Sequence, residues 1–161
     1  MEQNLSKIRS MKEVAAEAVS YIAGRKDRKI VSLKTRWEKF NKQCMGGIEP
    51  NTVITIAGIS GSGKSSIVNS LTTDLIDLNP TEDIIILNFS LEMVGFRQIG
   101  RTLSSKLRKT TSTLYSAETR LDDETFRKAV AVSNQLKEYP IYFVDSPGSP
   151  KDVEETIRNF Y

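Results

Sequence analysis

Ala57-Gly58-Ile59-Ser60-Gly61-Ser62-Gly63-Lys64-Ser65-Ser66 decides the fold of this chain. From Gly58 to Ser65 it fits the pattern G-x-x-x-x-G-K-[ST]. Glycines in such a loop let the backbone curl, so that consecutive N–H groups point inward at an anion. In that pattern Lys64 reaches the β- and γ-phosphates of a nucleotide, and the Ser65 hydroxyl sits on Mg²⁺. Gly58, Ser60, Gly61, Ser62, Gly63, Lys64, Ser65 and Ser66 are therefore the candidate nucleotide-binding residues. A Gly/Ser-rich turn with a surface lysine is the plainer alternative.

The flanks argue for the loop. Asn51-Thr52-Val53-Ile54-Thr55-Ile56-Ala57 is rich in β-branched residues and reads as a buried strand. After it, Ile67, Val68, Leu71, Leu75 and Leu78 recur at helical spacing until Asn79-Pro80 stops the helix. Strand, loop and helix in that order aim the positive end of the helix at the phosphates.

Composition bounds the rest. A chain of 161 residues, 39% hydrophobic and 27% charged, is at most one ordinary soluble domain with an appended helix. A net charge of +3 is too small to identify a nucleic-acid partner. Cys44 is the one cysteine and there is no histidine, so an internal disulfide, a histidine-ligated metal and a histidine general base are excluded. No apolar run approaches the roughly 18–20 residues of a membrane span, and the N-terminus lacks a signal-peptide pattern. A cytoplasmic, reducing compartment is the expectation.

Upstream, Leu5, Ile8, Met11, Ala15, Ala18/Val19 and Ile22 form an apolar stripe, read as an amphipathic helix ending at Gly24. It packs on its own domain or on a neighbouring subunit; the stripe alone does not choose. Arg25 to Lys29 is a charged connector. Trp37 and Phe40 follow on a short helical stretch as core anchors, and Gly46-Gly47-Ile48-Glu49-Pro50-Asn51 turns into the first strand.

Downstream, Ile84 to Phe89 reads as a second strand, and Phe96, Ile99, Leu103 and Leu107 mark a helix. Gly95 to Ala117 carries Arg97, Arg101, Lys106, Arg108 and Lys109 with no acidic residue, either a solvated face or a phosphate contact. Asp122-Asp123-Glu124 can cap a further helix, Ile141 to Asp145 reads as a third strand, and Ser149-Pro150-Lys151-Asp152 opens a last helix. Strands alternating with helices indicate an α/β fold with a largely parallel sheet. So small a sheet looks like part of a larger domain.

Glu92 lies just past the second strand. Ligands in open α/β sheets sit beyond the carboxyl ends of strands, so Glu92 should face the same crevice as the loop. A carboxylate there can polarise an attacking water, or it can simply favour a helix start.

Phe89-Ser90-Leu91-Glu92-Met93 resembles the F-S-L-E-M motif of DnaB-type replicative helicases, a branch of the RecA-like ATPases. Gly46 to Pro50 resembles that family's G-G-L-x-P-G lead-in, Arg101 matches an arginine common after the motif, and Tyr142 to Gly148 resembles its Y-I-D-D-T-P-G strand end. The resemblance spans about Lys34 to Tyr161. It implies an incomplete RecA-like P-loop domain at 34–161, preceded by a linker helix and connector at 1–33. It implies catalytic roles for Glu92, which activates the water, and for Lys64, with ATP and Mg²⁺ bound and Ser65 on the metal. It also implies a hexameric ring acting on single-stranded DNA, the linker helix docking on the adjacent subunit. Family members continue with a Walker B strand, DNA-binding loops and an arginine finger, expected after Tyr161, so this chain alone is expected to be a poor ATPase. Asp145 falls one strand before Walker B and is given no metal role.

Two rivals stand beside this. Gly63 to Leu71 and Asp145 to Gly148 resemble motifs of Era-like GTPases, although they lie far apart here. A non-catalytic fragment that binds a helicase ring is the other.

Overall fold

The computed structural model describes residues 8–90, 93–146 and 148–160. The chain divides into two compact units, Met1–Thr55 and Ile56–Tyr161.

In the first unit, helix α1 spans Met11–Lys26. Ser10 and Glu13 close its start reciprocally: Glu13 N–H donates to Ser10 Oγ (3.3 Å), and Ser10 N–H to Glu13 Oε2 (2.7 Å). These bonds hold the Glu13 carboxyl below its ordinary range. The helix does not end at Gly24 as the sequence suggested. It runs on to Lys26, and Gly24 serves instead as a place of close approach, because a Cβ there would stand 2.7 Å from Ile30 Cδ1. Leu5, the first member of the expected stripe, lies outside the described residues, and Ile8 precedes the helix. Met11, Val14, Val19 and Ile22 are all exposed.

Helix α2, Glu38–Gln43, follows Trp37; Trp37 and Phe40 are half-buried rather than core residues. The turn at Gly46-Gly47 is built as expected. Both glycines have positive φ, and Leu33 and Ile48 exchange N–H···O bonds of 2.8 Å. A Cβ on Gly47 would lie 2.1 Å from the Leu33 carbonyl oxygen, so only glycine permits this antiparallel bridge. Arg25 reaches across the unit to Ser32 Oγ (2.9 Å) and the Met45 carbonyl (2.6 Å).

The second unit contains helix α3 (Lys64–Asp77), strand β1 (Ile86–Phe89), helices α4 (Gly95–Leu107), α5 (Thr111–Tyr115) and α6 (Asp123–Leu136), strand β2 (Ile141–Val144) and helix α7 (Pro150–Phe160). The two strands pair in parallel, from Ile86 opposite Ile141 to Phe89 opposite Val144. Both are shorter than the sequence suggested. Asn51–Ala57, expected as the first buried strand, is in no strand, and Val53 is 94% exposed. A strand exists only through a partner's N–H and C=O groups, and among the described residues none pairs with this segment.

Capping followed the sequence closely. Asp122 accepts from Thr125 N–H (2.7 Å) to start α6, and Ser149 and Asp152 form the reciprocal pair at α7. Helix α7 returns over the sheet, where Phe160 meets Tyr142 edge-on at 4.8 Å. Helices α3 and α4 are joined by Asn69 Nδ2 donating to Thr102 Oγ1 (2.9 Å). Asp77 accepts from Lys106 (3.2 Å) and from the Tyr139 hydroxyl. Among the described residues the buried side chains are polar, Thr35, Thr73, Asp74, Asn79, Ser90, Thr102 and Thr125, and none is fully buried.

Candidate functional site

The loop before α3 bends as its glycines require. Gly61 and Gly63 have φ of +77° and +91°, a left-handed conformation that L side chains rarely adopt. Gly58 is needed for space, since a Cβ there would sit 2.5 Å from Ser62 Oγ. Ser62 N–H donates to the Ile59 carbonyl (3.2 Å) and closes the turn. Gly63 is the N-cap residue, so Lys64 and Ser65 occupy the first turn of α3. The Lys64 ammonium donates to the carbonyls of Gly58 and Ile59, each at 2.9 Å.

Lys64 and Ser65 open onto a cleft of about 270 Å³ whose far side is formed by Asn88, Phe89, Ser90, Met93, Gln98 and Arg101. The cleft lies at the carboxyl ends of the strands, because Ser90 N–H donates to the Val144 carbonyl (3.0 Å) just beyond the Phe89–Val144 pair. Of the expected loop residues, Lys64 and Ser65 line the cleft, while Ser60, Gly61, Ser62 and Ser66 stay on the exposed loop and helix surface. Arg101 lines the cleft, half-buried. Glu92 lies outside the described residues.

The first turn of α4 anchors both strand ends. Gly95 N–H is shared by the two oxygens of Asp145, at 2.8 and 2.9 Å, so the Asp145 carboxylate follows β2 and caps α4. Gly95 leaves the space for this, since a Cβ would stand 3.2 Å from Asp145 Oδ2 and from the Phe143 ring. One turn on, Gln98 turns toward β1. Its amide nitrogen donates to Ser90 Oγ (2.6 Å) and the Met93 carbonyl (3.1 Å), and its oxygen accepts from Asn88 Nδ2 (2.9 Å). Ser90 Oγ also donates to the Met93 carbonyl. Sequence reasoning missed Gln98 and Asn88. The available signal was Asn88 itself, a polar residue inside an otherwise apolar strand, which demands a partner.

Two side chains of the basic stretch, Arg97 and Lys106, are engaged within the unit. Arg97 lies over the rings of Phe96 and Tyr115, 5.2 Å from each centroid, and Lys106 pairs with Asp77. Burial works against the Lys106 charge, but the hydrogen bond and negative charge of Asp77 outweigh it and raise the ammonium pKa. Among the described residues no cluster of His, Cys, Asp and Glu could hold a metal ion, and no helix is long and apolar enough to cross a membrane.

A glycine loop feeding a helix, with its lysine and serine facing the carboxyl ends of parallel strands, is the arrangement of an α/β P-loop protein. The family described as DnaB-like helicase C terminal domain matches residues 32–161. The chain belongs to that family, whose fold is RecA-like. Curated proteins offer no match to this sequence.

Proposed function

We propose that this chain is the ATP-binding portion of a DnaB-like hexameric replicative helicase, coupling ATP hydrolysis to DNA unwinding when complete. The observation that carries the reading is the left-handed Gly61 and Gly63 delivering Lys64 and Ser65 to the cleft at the ends of β1 and β2. The residues fit the group they would hold. Consecutive loop N–H groups cradle phosphate oxygens, and Gly58, Gly61 and Gly63 keep side chains out of the way.

Each residue then has a role in this reading. Lys64 neutralises charge on the β- and γ-phosphates, and the helix dipole of α3 adds to it. Ser65 would hold the magnesium ion, which would supply further charge neutralisation when bound. Glu92, in the motif Phe89–Met93, is the base that activates the attacking water. Residues 1–33 are the linker helix and connector, and the exposed Met11, Val14, Val19 and Ile22 suit docking on a neighbouring subunit. Single-stranded DNA and further subunits are the partners, in the cytoplasm.

Nucleotide binding tests the reading. The chain should bind ATP with Mg²⁺, and Lys64→Ala should weaken it at least about tenfold, the loss of one charge-assisted contact. Strong preference for GTP, or affinity indifferent to Lys64→Ala, would overturn it in favour of a GTPase or a non-catalytic ring-binding fragment.

A further inference from the structure

We infer that Asn69 and Thr102 are positioning residues for the nucleotide. Their hydrogen bond sets the width of the cleft and with it the preference for ATP over ADP, an inference that rests on the proposed ATP-binding function. The cleft has one wall on α3, with Lys64 and Ser65, and another on α4, with Gln98 and Arg101. Asn69 Nδ2 donates to Thr102 Oγ1 (2.9 Å) and joins the two walls. Asn69 follows Ser65 by one helical turn; Thr102 follows Gln98 by one turn and is next to Arg101 in the chain. The bond is thus seated one turn behind the residues that line the cleft from either side.

The bond is directed from both ends. Thr102 is only 5% exposed, and its hydroxyl donates to the Gln98 carbonyl (3.4 Å), which leaves a lone pair for Asn69. Asn69 lines the cleft and also a cavity of about 50 Å³ that it shares with Thr102 and Asn88. Where side chains do not fill the space between two helices, packing alone does not hold their separation, and a polar bond must do so. Further along the same helices Lys106 pairs with Asp77 (3.2 Å), a second tie between residues that do not line the cleft. A triphosphate brings one more anionic group than a diphosphate to be held between cationic walls, Lys64 on one and Arg101 on the other. Coulombic attraction falls with separation, so a wider cleft costs ATP more than ADP.

The test uses the full chain with Thr102→Val, which keeps the shape and removes the hydroxyl, Thr102→Ser, which restores it, and Asn69→Ala, at a half-buried position. Lys106→Met, which breaks the distant tie between the same helices, reports what loosening alone does. Affinities for fluorescent analogues of ATP and ADP with Mg²⁺ are read beside urea midpoints. We expect ATP affinity to fall about tenfold in Thr102→Val and in Asn69→Ala, the equivalent of one weakened charge-assisted contact, and ADP affinity to fall less than about threefold. Thr102→Ser should stay within about twofold of the parent for both nucleotides, and the Thr102→Val/Asn69→Ala double variant should be no weaker than either single one. ATP affinity within about twofold of the parent in Asn69→Ala overturns the inference, as does an equal loss for ATP and ADP, or the same ATP loss in Lys106→Met. So does a parent chain that binds both nucleotides equally. Should Thr102→Val fail to fold, Asn69→Ala and Thr102→Ser decide by the same criteria. A parent chain that binds neither nucleotide overturns the proposed function itself, which keeps the two failures distinct.

Discussion

Gly100 sits in the middle of α4, where alanine is normally the better residue by about 1 kcal/mol. The structure reverses that preference. A Cβ on Gly100 would stand 1.9 Å from the Tyr115 hydroxyl oxygen and 2.5 Å from the ring. The ring would have to withdraw by about 1.5 Å to restore ordinary contact. Withdrawal breaks the bond from Tyr115 OH to the Phe96 carbonyl (3.2 Å), about 0.5–1 kcal/mol at an exposed site. It also removes one of the two rings under Arg97, about 0.5–1 kcal/mol, and the ring's packing on α4, on the order of 1 kcal/mol. Set against the helical gain, Gly100→Ala should destabilise the chain by about 1–2 kcal/mol, measured by urea denaturation. In a Tyr115→Ala background the clash is gone and the same substitution should stabilise by up to about 1 kcal/mol. The double-mutant cycle should thus show a coupling of roughly 2 kcal/mol. If the two substitutions add, or if Gly100→Ala stabilises the parent, the reasoning about this contact is refuted.

Asp145→Ala should cost about 0.5–2 kcal/mol as the loss of a helix cap, Asp145→Asn less, and neither should change the Mg²⁺ dependence of nucleotide binding; titration of the metal alongside urea melts checks both halves. Glu13, Asp122 and Asp152 each cap a helix, and the N–H and hydroxyl groups of Ser10, Thr125 and Ser149 hold their carboxyls below the ordinary range. A lowered folded pKa gives stability that is present above the unfolded values, near 3.8–4.5, and lost as pH falls through the folded ones. Helical circular dichroism should therefore fall between about pH 4 and pH 2, and Asp152→Asn should shrink that acid loss.

Local chemistry was legible in the sequence and pairing was not. The turn of the phosphate loop, the caps at Asp122 and Ser149–Asp152, and the Gly46-Gly47 turn depend on residues a few positions apart, and all were readable. The segment Asn51–Ala57 has the composition of a strand, but a ladder depends on a neighbour that composition does not name. Gly24 looked like a helix terminator because glycine suits both left-handed turns and close contacts, and only Ile30 reveals which applies. Helix α5 went unread because Tyr115 is held against Gly100 and Phe96, far away in sequence. Of the candidate site, Lys64 and Ser65 were identified by motif, whereas Gln98 emerged only once α4 was laid against β1.

The Lys64 ammonium spends two of its three protons on the carbonyls of Gly58 and Ile59. In the proposed ATP-binding role, loading a phosphate would on that account be a swap of partners, in which the lysine releases its own loop as it turns to the ligand. The swap lowers the enthalpy gained per contact, because each new bond to the ligand replaces one to the loop. It also makes the loop's curvature answer to the anion: with the lysine drawn away, the left-handed glycines and the Ser62 N–H bond to the Ile59 carbonyl hold the turn.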